Sequence, residues 1–370
     1  MHGCKHSLLA KGLSPFVPSP RARGEGQGEG RFSVLLCAVI AMSLGLSACG
    51  SSSTMLPSAQ AADTSTLNLP PNAQFNTDAN CPAPRCFDVQ IPLPAGVAVT
   101  DNHVRVILPV DYGAPGKRFP VLYLLHDAGG TYKIWTEKTD ILKLSRAFEA
   151  IIVMPDGGHG ANAGWYTNWK DGSRQWETYH IDVMIPYLEQ HLDTLGDGHR
   201  AIAGASMGGF GTMSYSARHP GMFAAAGGIS GAVDLLYLQQ LSAEFTALIN
   251  PIISTPDARY WGDPITNYAE WQAHDPASNI DGMRGMEVFL ICANGLPGGA
   301  YDDLTSGPTQ AGYYAVENLV WQMNQSFATA LKNAGIEHRT FFYGPGYHDW
   351  PYFREELVWL LPQLMSVVRQ

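Results

Sequence analysis

The sequence predicts an α/β domain in which a mostly parallel central sheet is covered by helices on both faces. Short, continuously apolar runs alternate along the chain with longer segments that carry apolar residues at helical spacing. Strands that are apolar on both sides are typical of parallel sheets, because helices bury both faces of such sheets. The chain has 370 residues, 45% of them hydrophobic, which is enough for the core that this fold class needs.

The predicted elements follow each other in the order that this fold class requires. Residues 87–108 are predicted to form antiparallel edge strands. Buried strands are predicted at 119–125, 150–154, 200–203, 223–230, 287–293 and 339–343, and the main helices at 176–192, 208–218 and 314–332. The last of these helices carries apolar side chains at helical spacing from Val316 to Leu331.

The N-terminus has the features of a bacterial export signal. Arg31 precedes the apolar run FSVLLCAVIAMSLGLSACG, which is short for a membrane span. Residues 46–49 read LSAC and resemble a lipobox, in which the cysteine is lipidated. We therefore expect residues 1–48 to be a lipoprotein-type signal peptide and Cys49 to anchor the exported protein to a membrane of the cell envelope. An ordinary secretory signal is the alternative, and the long stretch before Arg31 is typical of a misplaced start codon.

Residues 49–85 are predicted to be a flexible tether between the lipid and a catalytic domain at 86–370. The stretch up to residue 80 is rich in Ser, Thr, Ala, Pro and Asn, which is typical of linkers. Cys81 and Cys86 are expected to form a small disulfide in an oxidising compartment. Two free thiols are the alternative.

The charge of the chain argues against nucleic acid as a partner. There are 23 basic and 33 acidic residues, a formal net charge of −10, whereas binding to nucleic-acid phosphates requires a basic face. The spacing of the cysteines and histidines does not suggest a metal site. We therefore expect neither a metal nor another cofactor.

The segment GASMGGFG at 204–211 is the strongest indication of chemistry. It contains G-x-S-x-G around Ser206, and it lies between a predicted strand and a predicted helix, which is the setting of a nucleophile elbow. A Walker-type phosphate loop is excluded, because no Lys-Ser or Lys-Thr pair follows the glycines. A serine becomes a nucleophile when a base takes its proton. His348 follows the last predicted strand and has the place in chain order that such a base occupies.

A third residue, an acid that orients the histidine, should lie between Ser206 and His348 in the sequence. The usual place is directly after the strand at 287–293, but Asn294 stands there. Asp302, Asp303 and Glu317 follow. The residues themselves leave these three candidates open.

Several separated segments resemble the α/β-hydrolase esterases that include antigen-85 mycolyltransferases, S-formylglutathione hydrolases and feruloyl esterases. They are YLLHDAGG, GGHGANAGWYTNW, WETYHIDVMIPYL, GASMGG, CANG, ENLVWQMNQSF and GYHDWPYF, spread over about residues 86–365. The segments at Glu317 and His348 are most similar to the antigen-85 branch, in which a glutamate stands seven residues before Asn-Gln-(Ser/Thr)-Phe. Glu317 has this spacing to Asn324. The resemblance therefore implies an α/β-hydrolase fold with Glu317 as the acid.

An oxyanion hole is expected from two backbone N–H groups. One belongs to Met207, which follows the nucleophile, and the other to the loop after the strand at 119–125. Ala128 matches the donor position of the resembling families. Asp127 stands where the esterase pattern has glycine, so its carboxylate must point away from the oxyanion.

Aromatic residues in the candidate loops are expected to bind substrate, namely Trp135, Trp165 and Tyr166, since aromatic side chains in loops above a sheet can line an acyl pocket. Packing beneath long loops is the alternative.

The predicted function is hydrolysis of a carboxylic ester through an acyl-enzyme. The substrate would be a small-molecule or lipid ester. One alternative is acyl transfer to a sugar or glycerol hydroxyl, which the antigen-85 resemblance implies. A second alternative is a non-catalytic binding protein on a hydrolase scaffold.

Overall fold

A nine-stranded sheet forms the centre of the protein. The computed structural model describes residues 67–75, 77–196, 198–238, 257–302 and 308–368. The strands are β1 (Ala73–Gln74), β2 (Cys86–Gln90), β3 (His103–Ile107), β4 (Val121–Leu125), β5 (Ile151–Pro155), β6 (Arg200–Ala205), β7 (Ala225–Ile229), β8 (Glu287–Cys292) and β9 (His338–Phe342). Their order across the sheet is β1-β2-β3-β5-β4-β6-β7-β8-β9.

In the order of the sheet, β5, β4, β6, β7, β8 and β9 run parallel, and β1, β2 and β3 form an antiparallel edge. The parallel part places the carboxyl ends of β4, β6, β7 and β8 side by side. Ligands and catalytic groups of open α/β sheets collect at this end of the strands.

Helices cover the sheet on both sides. They are α1 (Ile134–Lys138), α2 (Ile141–Leu144), α3 (Trp176–Thr178), α4 (Ile185–His191), α5 (Met207–Arg218), α6 (Leu235–Leu238), α7 (Ala258–Trp261), α8 (Tyr268–His274), α9 (Pro308–Asn333) and α10 (Trp350–Val368). A π-helical segment, Tyr179–Met184, joins α3 to α4. Among the helices that the structure describes, none combines the length and the apolar character needed to cross a bilayer.

The strand side chains alternate between two hydrophobic cores. In β4, Val121, Tyr123 and Leu125 belong to one core, whereas Leu122 and Leu124 belong to the other. The first core also contains the apolar faces of α5 and α9, and the second contains the apolar face of α10. The prediction of a mostly parallel sheet with helices on both faces is confirmed.

The predicted strands and helices are all present, with boundaries shifted by a few residues. The largest shift concerns α9, which begins at Pro308 rather than at residue 314. The helix α10 is an addition to the predicted elements, and its side chains from Phe353 to Val368 complete the second core.

The described residues between 67 and 85 pack against the domain. The strand β1 pairs with β2, and the Phe75 ring lies 5.3 Å from the ring of Phe87. Cys81 is bonded to Cys86, and Arg105 pairs with Asp78 at 2.8 Å. This corrects the predicted tether, because these contacts make its C-terminal part a portion of the fold. The predicted signal peptide at 1–48, the lipidation site Cys49 and the tether up to residue 66 lie outside the described residues.

Candidate active site

Ser206 lies in the sharp turn between β6 and α5. Its backbone has φ 56° and ψ −117°, a conformation that residues with a side chain rarely adopt. The turn requires close approach of the backbone, because a Cβ on Gly204 would collide with the carbonyl of Gly208. A Cβ on Gly208 would in turn collide with the carbonyl of Leu125 at the end of β4. The turn thus has the geometry of a nucleophile elbow and places the serine at the carboxyl end of the sheet.

His348 connects the serine to an acid. It lies in the loop between β9 and α10. Its Nε2 is 2.7 Å from the hydroxyl of Ser206, and its Nδ1 is 2.7 Å from Oε2 of Glu317. All three side chains are buried. With the proton on Nδ1, the ring donates to the glutamate and accepts from the serine hydroxyl, which is the arrangement of a serine nucleophile with its base.

The carboxylate of Glu317 is held by donors from two neighbouring strand ends. Its Oε1 accepts hydrogen bonds from the Ser230 hydroxyl at 2.8 Å and from the Ala293 amide at 2.9 Å. The thiol of Cys292 donates to the same oxygen at 3.3 Å. Oε2 is thereby directed at His348.

The other acid candidates are placed differently. The carboxylate of Asp302 accepts hydrogen bonds from the amides of Gly298 and Gly299 and from the hydroxyl of Tyr352. It therefore fixes its own loop and makes no hydrogen bond to His348. Asp303 lies outside the described residues.

The loop after β4 has its carbonyl groups tied to surrounding donors. The hydroxyl of Tyr166 donates to the His126 carbonyl at 3.0 Å, and the amide of Gly160 donates to the Ala128 carbonyl at 2.8 Å. The His126 ring donates from Nδ1 to the Asp127 carbonyl at 2.7 Å and accepts from the Gly157 amide at Nε2.

The bond to the Asp127 carbonyl has a direct consequence for Ala128. The Asp127 carbonyl and the Ala128 N–H belong to one planar peptide unit and point in opposite directions. By fixing the carbonyl, the His126 ring fixes the direction of this N–H. Met207 is the first residue of α5, where a backbone N–H has no acceptor within the helix. The N–H of Ala128 thus has a fixed direction and the N–H of Met207 has no acceptor within α5, so both predicted groups can donate to an oxyanion.

The Asp127 side chain bends back over its own loop. Its Oδ2 accepts from the Gly129 amide at 3.3 Å, and its Oδ1 is buried without a hydrogen-bond partner in the described structure. Burial raises the pKa of this carboxyl, although the neighbouring His126 opposes the effect. The expectation that the side chain avoids the oxyanion agrees with its hydrogen bond to Gly129.

The three aromatic residues predicted to bind substrate are core residues instead. Trp135, Trp165 and Tyr166 are exposed by 0%, 1% and 0%. The Trp165 ring packs 5.4 Å from that of Phe210, and the Trp135 ring lies 4.9 Å from that of Trp350. Rings of this size contribute more to stability when they are buried than when they line open loops. Tyr166 does support the site, but through its hydroxyl beneath the oxyanion loop.

Residues without a predicted role in the site surround the acid. Ser230 follows β7 with a φ of 45°, and nothing in the sequence indicates this conformation. Cys292, the last residue of β8, is buried, and its thiol contacts Glu317. A serine and a cysteine at the ends of apolar strands give no pattern from which these contacts could be predicted.

A second buried carboxyl, Glu356 of α10, lies behind Glu317. Its Oε1 accepts from the Tyr343 hydroxyl at 2.8 Å, and its Oε2 has no hydrogen-bond partner in the described structure. Burial and the charge of Glu317 raise the pKa of Glu356 well above its ordinary range. The protonated form of Glu356 is therefore favoured in the folded protein.

Comparison with known proteins identifies relatives among enzymes of ester chemistry. The Esterase family model matches residues 98–364. An esterase of Mycobacterium tuberculosis is 35% identical over 244 residues, which cover 64% of this chain and 50% of the relative. The chain thus spans about half the length of that relative. The diacylglycerol acyltransferase/mycolyltransferase Ag85B of Mycolicibacterium smegmatis is 27% identical over 275 residues, covering 69% of this chain and 79% of the relative.

Solved structures share the fold. An S-formylglutathione hydrolase from Agrobacterium tumefaciens aligns with a TM-score of 0.58 at 17% identity, covering 76% of this chain and 95% of the other. MPT51 of Mycobacterium tuberculosis aligns with a TM-score of 0.57 at 21% identity, covering 76% and 97%. These similarities and the sheet order agree with the α/β-hydrolase fold that the resemblance implied. Because the family model matches more than half of the chain, the protein belongs to the esterase family.

Proposed function

We propose that the protein is a serine carboxylic-ester hydrolase. The observation that carries the proposal is the continuous hydrogen-bonded chain from Ser206 through His348 to Glu317, with the serine at a strained elbow. In the first half of the reaction, Oγ of Ser206 attacks the ester carbonyl and His348 takes the serine proton on Nε2. The N–H groups of Met207 and Ala128 stabilise the negative charge on the former carbonyl oxygen.

The second half of the reaction regenerates the serine. Collapse of the tetrahedral intermediate breaks the bond to the alcohol, which leaves with the proton from His348 Nε2, and an acyl-serine remains. A water molecule then attacks the acyl carbon and gives its proton to the same nitrogen. The second collapse releases the carboxylic acid and returns the proton to Ser206. Glu317 orients the ring throughout.

Turnover of p-nitrophenyl esters tests this proposal. We expect the wild-type chain to hydrolyse esters of at least one acyl length and Ser206→Ala to lose this activity. We also expect intact-mass spectra of the wild type to contain an acyl-enzyme that is absent from the variant. Absence of both turnover and acyl-enzyme over a series of chain lengths would favour the non-catalytic binding protein instead.

Acyl transfer is the second candidate, favoured by the similarity to a protein named diacylglycerol acyltransferase/mycolyltransferase. The same acyl-enzyme would then pass its acyl group to an alcohol rather than to water, so the triad chemistry is unchanged. Supplying trehalose or a diacylglycerol during turnover distinguishes the two. A transferase forms the acylated acceptor at the expense of free acid, whereas a hydrolase forms the free acid at an unchanged rate.

We further propose that the protein is exported and anchored through a lipid on Cys49, after removal of residues 1–48. The support is the apolar run followed by LSAC. Labelling of growing cells with a fatty-acid analogue tests it. The label should be found on the wild-type protein in the membrane fraction and be absent from Cys49→Ala. A secreted, unlabelled wild-type protein would indicate an ordinary signal peptide.

A further inference from the structure

A positively charged pocket lies away from the proposed active site. It is a surface cavity of about 370 Å³ between the disulfide loop and the segment around α2. Its lining consists of Pro82, Ala83, Pro84, Arg85, Leu142, Lys143 and Arg146. Three of these residues are cationic, four are apolar and none is acidic. The volume falls in the range of small-molecule sites.

Arg85 is fixed at the wall of this pocket. Its Nε donates to the Leu108 carbonyl at 3.0 Å, and its Nη2 donates to the Ser145 hydroxyl at 3.1 Å. These bonds hold the guanidinium while leaving Nη1 available to a ligand. The disulfide between Cys81 and Cys86 closes the loop that carries Arg85, so the wall is covalently constrained.

Within the described residues, the cations of the pocket lack the carboxylate partners that several other arginines have. Arg105, Arg200 and Arg218 pair with the carboxylates of Asp88, Glu189 and Glu177, respectively. In the part of the chain that the structure describes, no carboxylate lies within ion-pair distance of the three pocket cations. Arg85, Lys143 and Arg146 converge on one cavity, where burial and the charge of Arg146 lower the pKa of Arg85. The chain as a whole has a net charge of −10, but this cavity is lined by three cations and no acidic residue. The cavity is therefore a favourable site for an anion.

We propose that this pocket binds the phosphate group of an amphiphilic anion. Arginine forms forked hydrogen bonds with phosphate oxygens, and the exposed Lys143 and Arg146 add positive charge at the rim. The apolar wall of Pro82, Pro84 and Leu142 packs against the carbon part next to the phosphate. A phospholipid headgroup and a free phosphate share the chemistry that the cations recognise.

The test compares two double variants of the full chain. Lys143→Gln/Arg146→Gln removes two pocket cations and keeps Arg85 with its structural hydrogen bonds. Lys170→Gln/Lys332→Gln removes two exposed cations outside the pocket lining and serves as the charge-matched control. Binding is measured by co-sedimentation with phosphatidylcholine vesicles, with and without phosphatidic acid. The N-terminal apolar run is common to all variants, so its contribution to vesicle binding cancels.

We expect phosphatidic acid to strengthen binding of the wild type, and the pocket variant to bind these vesicles about thirtyfold more weakly, from the contribution of two cations at an anionic surface. On a logarithmic scale, the control variant should lose less than a third of the vesicle affinity that the pocket variant loses, which is a loss of about threefold at most. Calorimetric titration with inorganic phosphate forms the second arm. Heat that is lost in the pocket variant alone would assign the site to free phosphate.

Two results would overturn the proposal: equal losses in the two double variants, or wild-type binding of both probes by the pocket variant. Turnover of a soluble ester verifies that the variants are folded and should be unchanged in both. This readout does not depend on the pocket, so failure of the proposed esterase chemistry and failure of the anion site are distinguishable.

Discussion

Replacing Glu317 by glutamine should reverse the hydrogen bonding of His348, the proposed base. In the wild type, Oε1 accepts from Ser230 and Ala293, and Oε2 accepts from His348. A glutamine has one accepting oxygen, and the Ser230 and Ala293 donors fix that oxygen at the Oε1 position. The amide NH₂ must then face Nδ1 of the histidine. Nδ1 becomes an acceptor, the proton moves to Nε2, and the ring can no longer take the proton of Ser206.

The expected loss follows from this tautomer. Blocking the base in the same way costs a serine hydrolase about 10⁴ in kcat, which corresponds to about 5.4 kcal/mol of transition-state stabilisation. The binding site is untouched, so KM should change little. Steady-state kinetics with a p-nitrophenyl ester measures both parameters. Circular dichroism verifies the fold, since glutamine preserves the volume and the two hydrogen bonds to its oxygen.

Asp302→Asn is the matched control. Asp302 binds the amides of Gly298 and Gly299, and its substitution leaves His348 untouched. We expect its kcat to stay within about a factor of two, as for substitutions away from key contacts. If Glu317→Gln keeps more than a tenth of wild-type kcat, or if Asp302→Asn is the variant that loses activity, then the assignment of the acid is wrong.

Three further substitutions test the supports of the site and of the fold. Tyr166→Phe removes the donor to the His126 carbonyl, so the free energy of unfolding should fall by about 1 kcal/mol. We also expect kcat to fall by a larger factor than KM changes. Unchanged kinetics would contradict a role of Tyr166 in the oxyanion loop. Burial opposes ionisation of Glu177, but its basic neighbours overcome this and lower its pKa to about 2. Its stabilisation, on the order of 3 kcal/mol, is present above pH 4.5 and is lost as the pH falls toward 2, and Glu177→Gln should lack this pH dependence in urea unfolding. Because the pKa of Glu356 is raised by folding, the wild type loses stability as the pH rises above the pKa that this residue has in the unfolded chain. The stability of Glu356→Gln relative to the wild type should therefore be greater at pH 8 than at pH 5. The opposite trend would show that Glu356 is ionised in the folded protein.

The parallel sheet could be predicted because its central strands are apolar on both faces. Every residue of β4 and β5 is buried, and such runs are distinct in the sequence. The segment from 67 to 85 gave no such pattern. It is held by a two-residue strand, a disulfide and the ion pair of Asp78 with Arg105, and contacts of this kind leave no periodicity. Its linker-like composition therefore led to the wrong domain boundary.

The nucleophile and the base could be proposed from chain order, because Ser206 and His348 each follow a predicted strand. The aromatic residues could not be placed. Trp165 and Tyr166 both have positive φ, and both rings lie in the core. Positive φ is rare in residues other than glycine, and the sequence does not indicate where such a residue adopts it.

The position of the acid on a helix explains why α10 belongs to the support of the site. An acid directly after β8 would rest on its own loop, whereas Glu317 projects from α9 into a buried space between strand ends, where the Ser230 and Ala293 donors replace water. The same space contains the carboxyl of Glu356 from α10. Two ionised carboxylates cannot share such an environment, so one must keep its proton. Three donors contact Oε1 of Glu317, whereas within the described structure the Tyr343 hydroxyl is the one donor to Glu356, whose pKa is raised by burial and by the charge of Glu317.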